Sequence, residues 1–135
     1  MTVSALDHVN IRTADPPATI AFFRDVLGMG VQPAPGQPDQ SRGAWILDAS
    51  GKPVIHIGDP AMPYPSDAAF PWKPAQGGGA LHHVALACAD LPGMMAALTS
   101  HGVAFSSFAY PQARLTQLLL TDPNGIILEL NFHET

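Results

Sequence analysis

The sequence predicts an α+β fold made of two βαβββ modules, and three observations carry that expectation. The order strand, helix, strand, strand, strand is written twice along the chain. The two copies open with closely similar stretches, and a proline- and glycine-rich segment separates them. The stretches are LDHVNIRTADPPATIAFFRDVLGM, Leu6 to Met29, and LHHVALACADLPGMMAALTSHGV, Leu81 to Val103. Each begins with a short alternating strand carrying His in third place, runs through Ala-Asp, and ends in a helical run stopped by glycine. Two copies are too few for a solenoid, which needs about three or more. The pattern therefore reads as a duplicated module in one domain, residues 2–58 and 80–134, joined by a linker at 59–79.

Each element has a local reason. In the first copy Asp15 caps a helix that opens on Pro16, Ile20, Phe23 and Leu27 recur on one face, and Gly28 stops it. In the second, Asp90 caps, Met94, Met95 and Leu98 face the core, and Gly102 terminates. Strand-like runs follow the first helix near Val31, at GAWILD (Gly43 to Asp48) and at PVIHIG (Pro53 to Gly58), and the second at VAFSSFAY, RLTQLLLT and IILELNF. The turns ASGK and DPNG precede the last strand of each copy. The linker holds five prolines and a triple glycine, which break helix and strand alike. Linkers of this length are lids, binding loops or disorder, and Tyr64, Phe70 and Trp72 are placed in it to lean over a ligand.

Composition excludes several classes of partner. Hydrophobic residues make up 47% and charged residues 13%, which fits a packed domain and not a disordered chain. Six Lys and Arg against a net charge of -5 leave no basic patch, so neither nucleic acid nor an anionic membrane surface is expected. No apolar run approaches the roughly 20 residues of a membrane span, and the opening MTVSALDHVN lacks a basic, then apolar, leader, so a cytoplasmic location is expected. The single Cys88 has the parity of a buried strand face and reads as a small core residue.

One residue is out of place. Glu129 interrupts the apolar run Ile126, Ile127, Leu128, Leu130, Phe132, and a buried carboxylate must find a cation, a metal or strong donors. The duplication supplies partners. His8 and His83 hold the same place on the first strand of each copy, and His56 and Glu129 nearly the same place on the fourth. Because strand side chains alternate, His8, Asn10 and Arg12 share one face while Val9 and Ile11 point to the other, and Glu129 opposes Leu128 and Leu130. The apolar alternates pack under the helices, leaving His8, His56, His83 and Glu129 on the opposite, concave face. Three imidazoles and a carboxylate suit Zn, Ni, Fe, Mn or Co, whereas Mg and Ca want more oxygen. His82, of opposite parity to His83, is expected to point away from the site; His101 lies at a helix end, and His133 near the chain end.

The stretches DHVNIRTAD with TIAFFRDVLGM, ALHHVALACAD, and LLLTDPNGIILELNF resemble the glyoxalase, bleomycin-resistance and extradiol-dioxygenase superfamily, the vicinal oxygen chelate proteins, and most of all its glyoxalase I branch. The resemblance covers nearly the whole chain. It implies paired βαβββ modules forming a curved mixed sheet that encloses a metal-binding cavity, and a homodimer. It implies His8, His83 and Glu129 as metal ligands with His56 at the remaining ligand position. Glyoxalase I commonly has Glu where this chain has His56, so the site carries +1 in place of neutrality, which favours an anionic substrate or enolate. Arg12 matches an arginine that glyoxalase I uses for a glutathione carboxylate, and Asn10, Arg12 and Trp72 are the expected substrate-binding residues.

The implied activity is that of a divalent-metal-dependent, glyoxalase-like lyase or isomerase. Its small substrate would present vicinal oxygens and pass through a metal-stabilised enediolate, with Glu129 as ligand and base and His56 as the other candidate base. An Fe(II) extradiol ring-cleavage dioxygenase is the alternative, although Leu119 stands where those enzymes place a tyrosine and no His lies within Tyr110 to Gln112. A non-catalytic, antibiotic-binding protein of the same fold is the third reading.

Overall fold

The computed structural model describes residues 1–73 and 75–134. It divides into two compact units, Met1–Pro74 and Ala75–Thr135, with the boundary inside the expected linker.

In the first unit, β1 (Val9–Arg12) leads to α1 (Pro16–Ala21), which continues as a π-helical turn over Phe22–Val26. Then come β2 (Gly30–Gln32), β3 (Gly43–Leu47), β4 (Pro53–Gly58) and a short 3-10 turn at Pro65–Ala68. The sheet order is β1-β4-β3-β2. β1 runs parallel to β4, and the other pairs are antiparallel. Asp15 caps α1 by accepting the Ala18 N–H at 3.1 Å, and Pro16 opens it with no N–H to satisfy. The backbone closes at Gly28, whose φ of +70° is a left-handed conformation that a Cβ would strain.

The helix buries Ile20, Phe23 and Leu27, as its periodicity predicts, and Phe22 and Val26 besides. Phe22 and Phe23 meet edge to face, centroids 5.3 Å apart, and a bond from the Leu27 N–H to the Phe22 carbonyl widens the turn enough to bury both rings. Across the sheet, Ile11, Ala44, Ile46, Ile55 and Ile57 form the other half of the core. Phe23 has no exposed surface, and truncating it to alanine is expected to cost about 3–5 kcal/mol.

The second unit repeats the plan: β5 (Val84–Cys88), α2 (Leu91–Ser100), β6 (Ser106–Tyr110), a 3-10 turn at Pro111–Ala113, β7 (Leu115–Thr121) and β8 (Ile127–His133). Its sheet order is β5-β8-β7-β6, with β5 parallel to β8. Asp90 caps α2 through the Gly93 N–H at 3.1 Å. Leu98, Leu118, Leu120, Leu128, Leu130 and Phe132 are its core. Before β8 the buried Asp122 folds the DPNG turn by accepting the Asn124 and Ile126 N–H groups, as the Asp48 carboxylate does from Ser50 and Lys52 before β4.

Two expectations are corrected here. Met95 is exposed, because α2 packs through one narrow stripe in which Leu98 alone is fully buried and Met94 is half-covered. Cys88 has the expected parity, yet it sits toward the end of an edge strand and is only half-buried. That partial burial pushes its thiol pKa up.

Candidate functional site

The register shows why the four residues singled out in the sequence are equivalent in pairs. In the parallel ladder of the first unit Asn10 lies opposite His56, two positions beyond His8. In the second, Ala85 lies opposite Glu129, two positions beyond His83. His8 and His83 each occupy the residue just before their strand. Each unit thus carries a donor pair, His8 with His56 and His83 with Glu129, on the face opposite the apolar core residues Ile55, Ile57, Leu128 and Leu130.

In the first unit the pair is aromatic. The His8 and His56 rings stack with centroids 3.7 Å apart and planes 13° from parallel, and Trp45, directly opposite His56 on β3, stacks on its other face at 4.5 Å. His8 Nδ1 bonds the Asp7 carboxylate at 2.6 Å, which leaves Nε2 for another partner. Burial, and then the charge of His8, hold the His56 pKa below the usual imidazole range, against a weaker pull from Asp7. Both effects favour the neutral ring that a metal binds.

In the second unit the pair is acid and imidazole. Glu129 Oε2 lies 3.2 Å from His83 Nε2. Its Oε1 accepts from Gln117 Nε2 at 2.6 Å and Asn131 Nδ2 at 3.0 Å. Both of these donors are neutral amides.

His82 requires a correction. The expectation that it points away from the site extended strand alternation past the start of β5, which begins at Val84. His82 and His83 both precede the strand, and their Nδ1 atoms are 2.9 Å apart, one donating and the other accepting. His82 therefore does for His83 what Asp7 does for His8: it occupies Nδ1 and leaves Nε2 toward Glu129. His101 and His133 are exposed.

Asn10, Arg12 and Trp72 were expected to meet substrate. Asn10 is exposed and exchanges hydrogen bonds of 3.3 and 3.4 Å with the Tyr64 hydroxyl. Arg12 is enclosed by the linker. Its guanidinium grips Asp67 with bonds of 2.7 and 3.1 Å, donates to the Met62 carbonyl at 2.6 Å, and lies 4.0 Å from the Tyr64 ring and 5.2 Å from the Trp72 ring. So two linker aromatics do lean over something, namely Arg12, while Phe70 stays in solvent.

Sequence reasoning missed Trp45, Gln117, Asn131 and Asp7. Gln117 carried a weaker signal of the same kind as Glu129, being a long polar residue just before the apolar run Leu118–Leu120.

Whether a divalent ion fits can be judged pair by pair. Each unit offers two metal-type side chains whose orienting partners are already in place. Among the described residues no group of three or more His, Cys, Asp or Glu is gathered closely enough to hold an ion, so neither pair is a complete site alone. The donor chemistry fits a borderline metal. Each pair by itself offers two donors of a type that borderline metals accept.

Comparison with known proteins agrees with the fold. The structure is similar to a lactoylglutathione lyase from Agrobacterium tumefaciens, with 17% identity, a TM-score of 0.68, and 98% of this chain and 96% of that one covered. It is similar to a variant of the fosfomycin resistance protein FosX from Listeria monocytogenes, complexed with Mn(II) and 1S,2S-dihydroxypropylphosphonic acid, with 15% identity, a TM-score of 0.68, and 98% and 95% covered. It is also similar to an antibiotic binding protein from a Streptomyces species, with 20% identity, a TM-score of 0.66, and 99% of each chain covered. No curated protein matches the sequence. The family profile described as Glyoxalase/Bleomycin resistance protein/Dioxygenase superfamily matches residues 7–117, most of the chain. By fold, by repeated register and by that match, the chain belongs to the Glyoxalase/Bleomycin resistance protein/Dioxygenase superfamily.

Proposed function

We propose that the chain is a divalent-metal-dependent enzyme of the lyase or isomerase type, acting on a small substrate with two neighbouring oxygens. Its ligands are His8, His56, His83 and Glu129. The observation that supports this reading is the two matched donor pairs, in which His8 and His83 are each bonded at Nδ1 by the residue before them. The reading is supported by the FosX complex, which pairs Mn(II) with a compound bearing adjacent hydroxyls in a similar fold. A bound divalent ion would supply Lewis acidity toward a chelated carbonyl or hydroxyl oxygen.

The chain's own residues do the rest. Glu129 serves as ligand and as base: its Oε1 is fixed by Gln117 and Asn131, which leaves Oε2 to take a proton from the substrate carbon. His56, held neutral, is the second candidate base. Leu119 lies directly opposite Glu129 on β7 and offers no proton, which argues against dioxygenase chemistry at this place. A homodimer in the cytoplasm belongs to the same reading, since β1 and β2 bound one sheet and β5 and β6 the other, and sheet edges are rarely left open.

A second reading, a non-catalytic small-molecule binder, is supported by the similarity of the fold to the antibiotic binding protein from a Streptomyces species. The deciding experiment reconstitutes the protein with Zn, Ni, Mn or Fe and offers 2-oxoaldehydes with thiols, and catechols under oxygen. Turnover of a vicinal-oxygen substrate that EDTA abolishes is expected. Oxygen uptake with catechol would select the dioxygenase, and metal-independent binding without turnover would select the binder.

A further inference from the structure

We propose that Tyr64 is a substrate-contacting residue beside the His8–His56 pair and that Arg12, in place of binding substrate itself, is its positioning residue. The inference rests on the proposed function of that face and goes beyond it by naming what recognises the substrate.

Arg12 has no fork left to offer. Its side chain is 7% exposed, both terminal nitrogens are bonded to Asp67 and to the carbonyls of Met62 and Pro60, and its Nε is buried without a hydrogen-bond partner. An incoming carboxylate would have to displace Asp67, whose carboxyl is also tied to the Tyr64 N–H at 2.8 Å. Hydrogen bonding from Arg12, then from that N–H, keeps the Asp67 pKa below the usual carboxylate range.

The same contacts aim Tyr64. Its ring lies against the guanidinium, its N–H is held by Asp67, and its hydroxyl reaches the Asn10 amide. The hydroxyl packs onto Gly58, where a Cβ would collide with it, so the glycine makes room for this side chain. Asn10 lies directly opposite His56 in the ladder. The hydroxyl and amide together form a neutral donor–acceptor pair one strand away from a ligand imidazole. Such a pair recognises a substrate hydroxyl or carbonyl, not an anion.

The test is calorimetric titration of acetohydroxamate, a small chelator with adjacent oxygens, into Mn(II)-loaded protein, with Mn(II) affinity measured separately. Tyr64→Phe keeps the ring over Arg12 and removes only the hydroxyl. It should weaken acetohydroxamate about three- to tenfold, the value of one neutral hydrogen bond, with Mn(II) affinity unchanged. Arg12→Gln should lose as much, and the double variant no more than either single one. If Arg12→Gln does not fold, Asp67→Asn releases the same clamp and should give the same result. Wild-type affinity in Tyr64→Phe, or additive losses in the double variant, would overturn the proposal while leaving the metal site standing. A wild-type protein that takes up no Mn(II) would overturn the site and this inference together.

Discussion

The two units share a topology and a register but differ in how they hold their donors. In the first, His56 is sandwiched between the rings of His8 and Trp45, so the pair is aromatic, with Asp7 bonded to His8. In the second, Glu129 is held by the amides of Gln117 and Asn131 and faces His83, so the pair is polar. The framework residues are nearly interchangeable, with Asp15 and Asp90 as caps, Gly28 and Gly102 as stops, and Asp48 and Asp122 folding the final turn. The difference teaches that the backbone plan fixes where a donor stands, while the strand neighbours decide whether it is kept neutral or charged.

If that division is right, the charged half carries the greater share of the chemistry. Glu129→Gln preserves shape and hydrogen-bonding capacity but removes the charge and the base. Turnover is expected to fall by about 10²–10⁴-fold, with weaker metal binding, as measured by kcat on the reconstituted enzyme. An equal or greater loss on truncating Trp45 to leucine would reverse the ranking of the two halves.

The next effect tests the orienting residues. His82→Ala and Asp7→Ala each free the Nδ1 of a proposed ligand histidine, and each should cost about tenfold in metal affinity by titration with Zn(II). Both residues are exposed, which keeps the loss at the low end of the range for such partners. If His82→Ala binds metal as the wild type does, the parallel between the two histidine pairs fails.

How much of this was legible in the sequence follows from the range of the interactions. The caps, the stops and the final turns depend on residues within five positions of one another. The equivalence of His8 with His83 and of His56 with Glu129 needed only the internal repeat. The misplacing of His82 came from extending strand alternation one turn of chain too far. The Glu129 cradle was hidden because Gln117 reaches Glu129 only through the antiparallel register of β7 and β8, which pairs Gln117 with Asn131. The enclosure of Arg12 was hidden because Asp67 lies 55 residues away in a segment without periodicity. Nor could the π-helical turn be read from spacing, since it depends on burying Phe22 and Phe23 together.

A smaller effect is expected from acid. The Asp67 carboxyl titrates below its ordinary range in the folded protein, chiefly through Arg12. Its contribution is therefore complete above the ordinary carboxylate pKa and is lost as pH falls through the lower, folded value. The segment around residues 59–73 should become more susceptible to a protease active in acid, such as pepsin, as pH is lowered through that window. Asp67→Asn should show the raised susceptibility at every pH. A segment equally resistant in both proteins would remove Arg12 and Asp67 as its anchor.

The central proposal is that His8, His56, His83 and Glu129 are ligands of one metal ion, and titration calorimetry with Zn(II) on three proteins tests it most directly. The wild type should bind about one ion per chain. The variants His8→Ala/His56→Ala and His83→Ala/Glu129→Ala should each lose that binding almost entirely, because two remaining ligands do not hold a borderline metal. Undiminished binding after removal of either pair would contradict the claim.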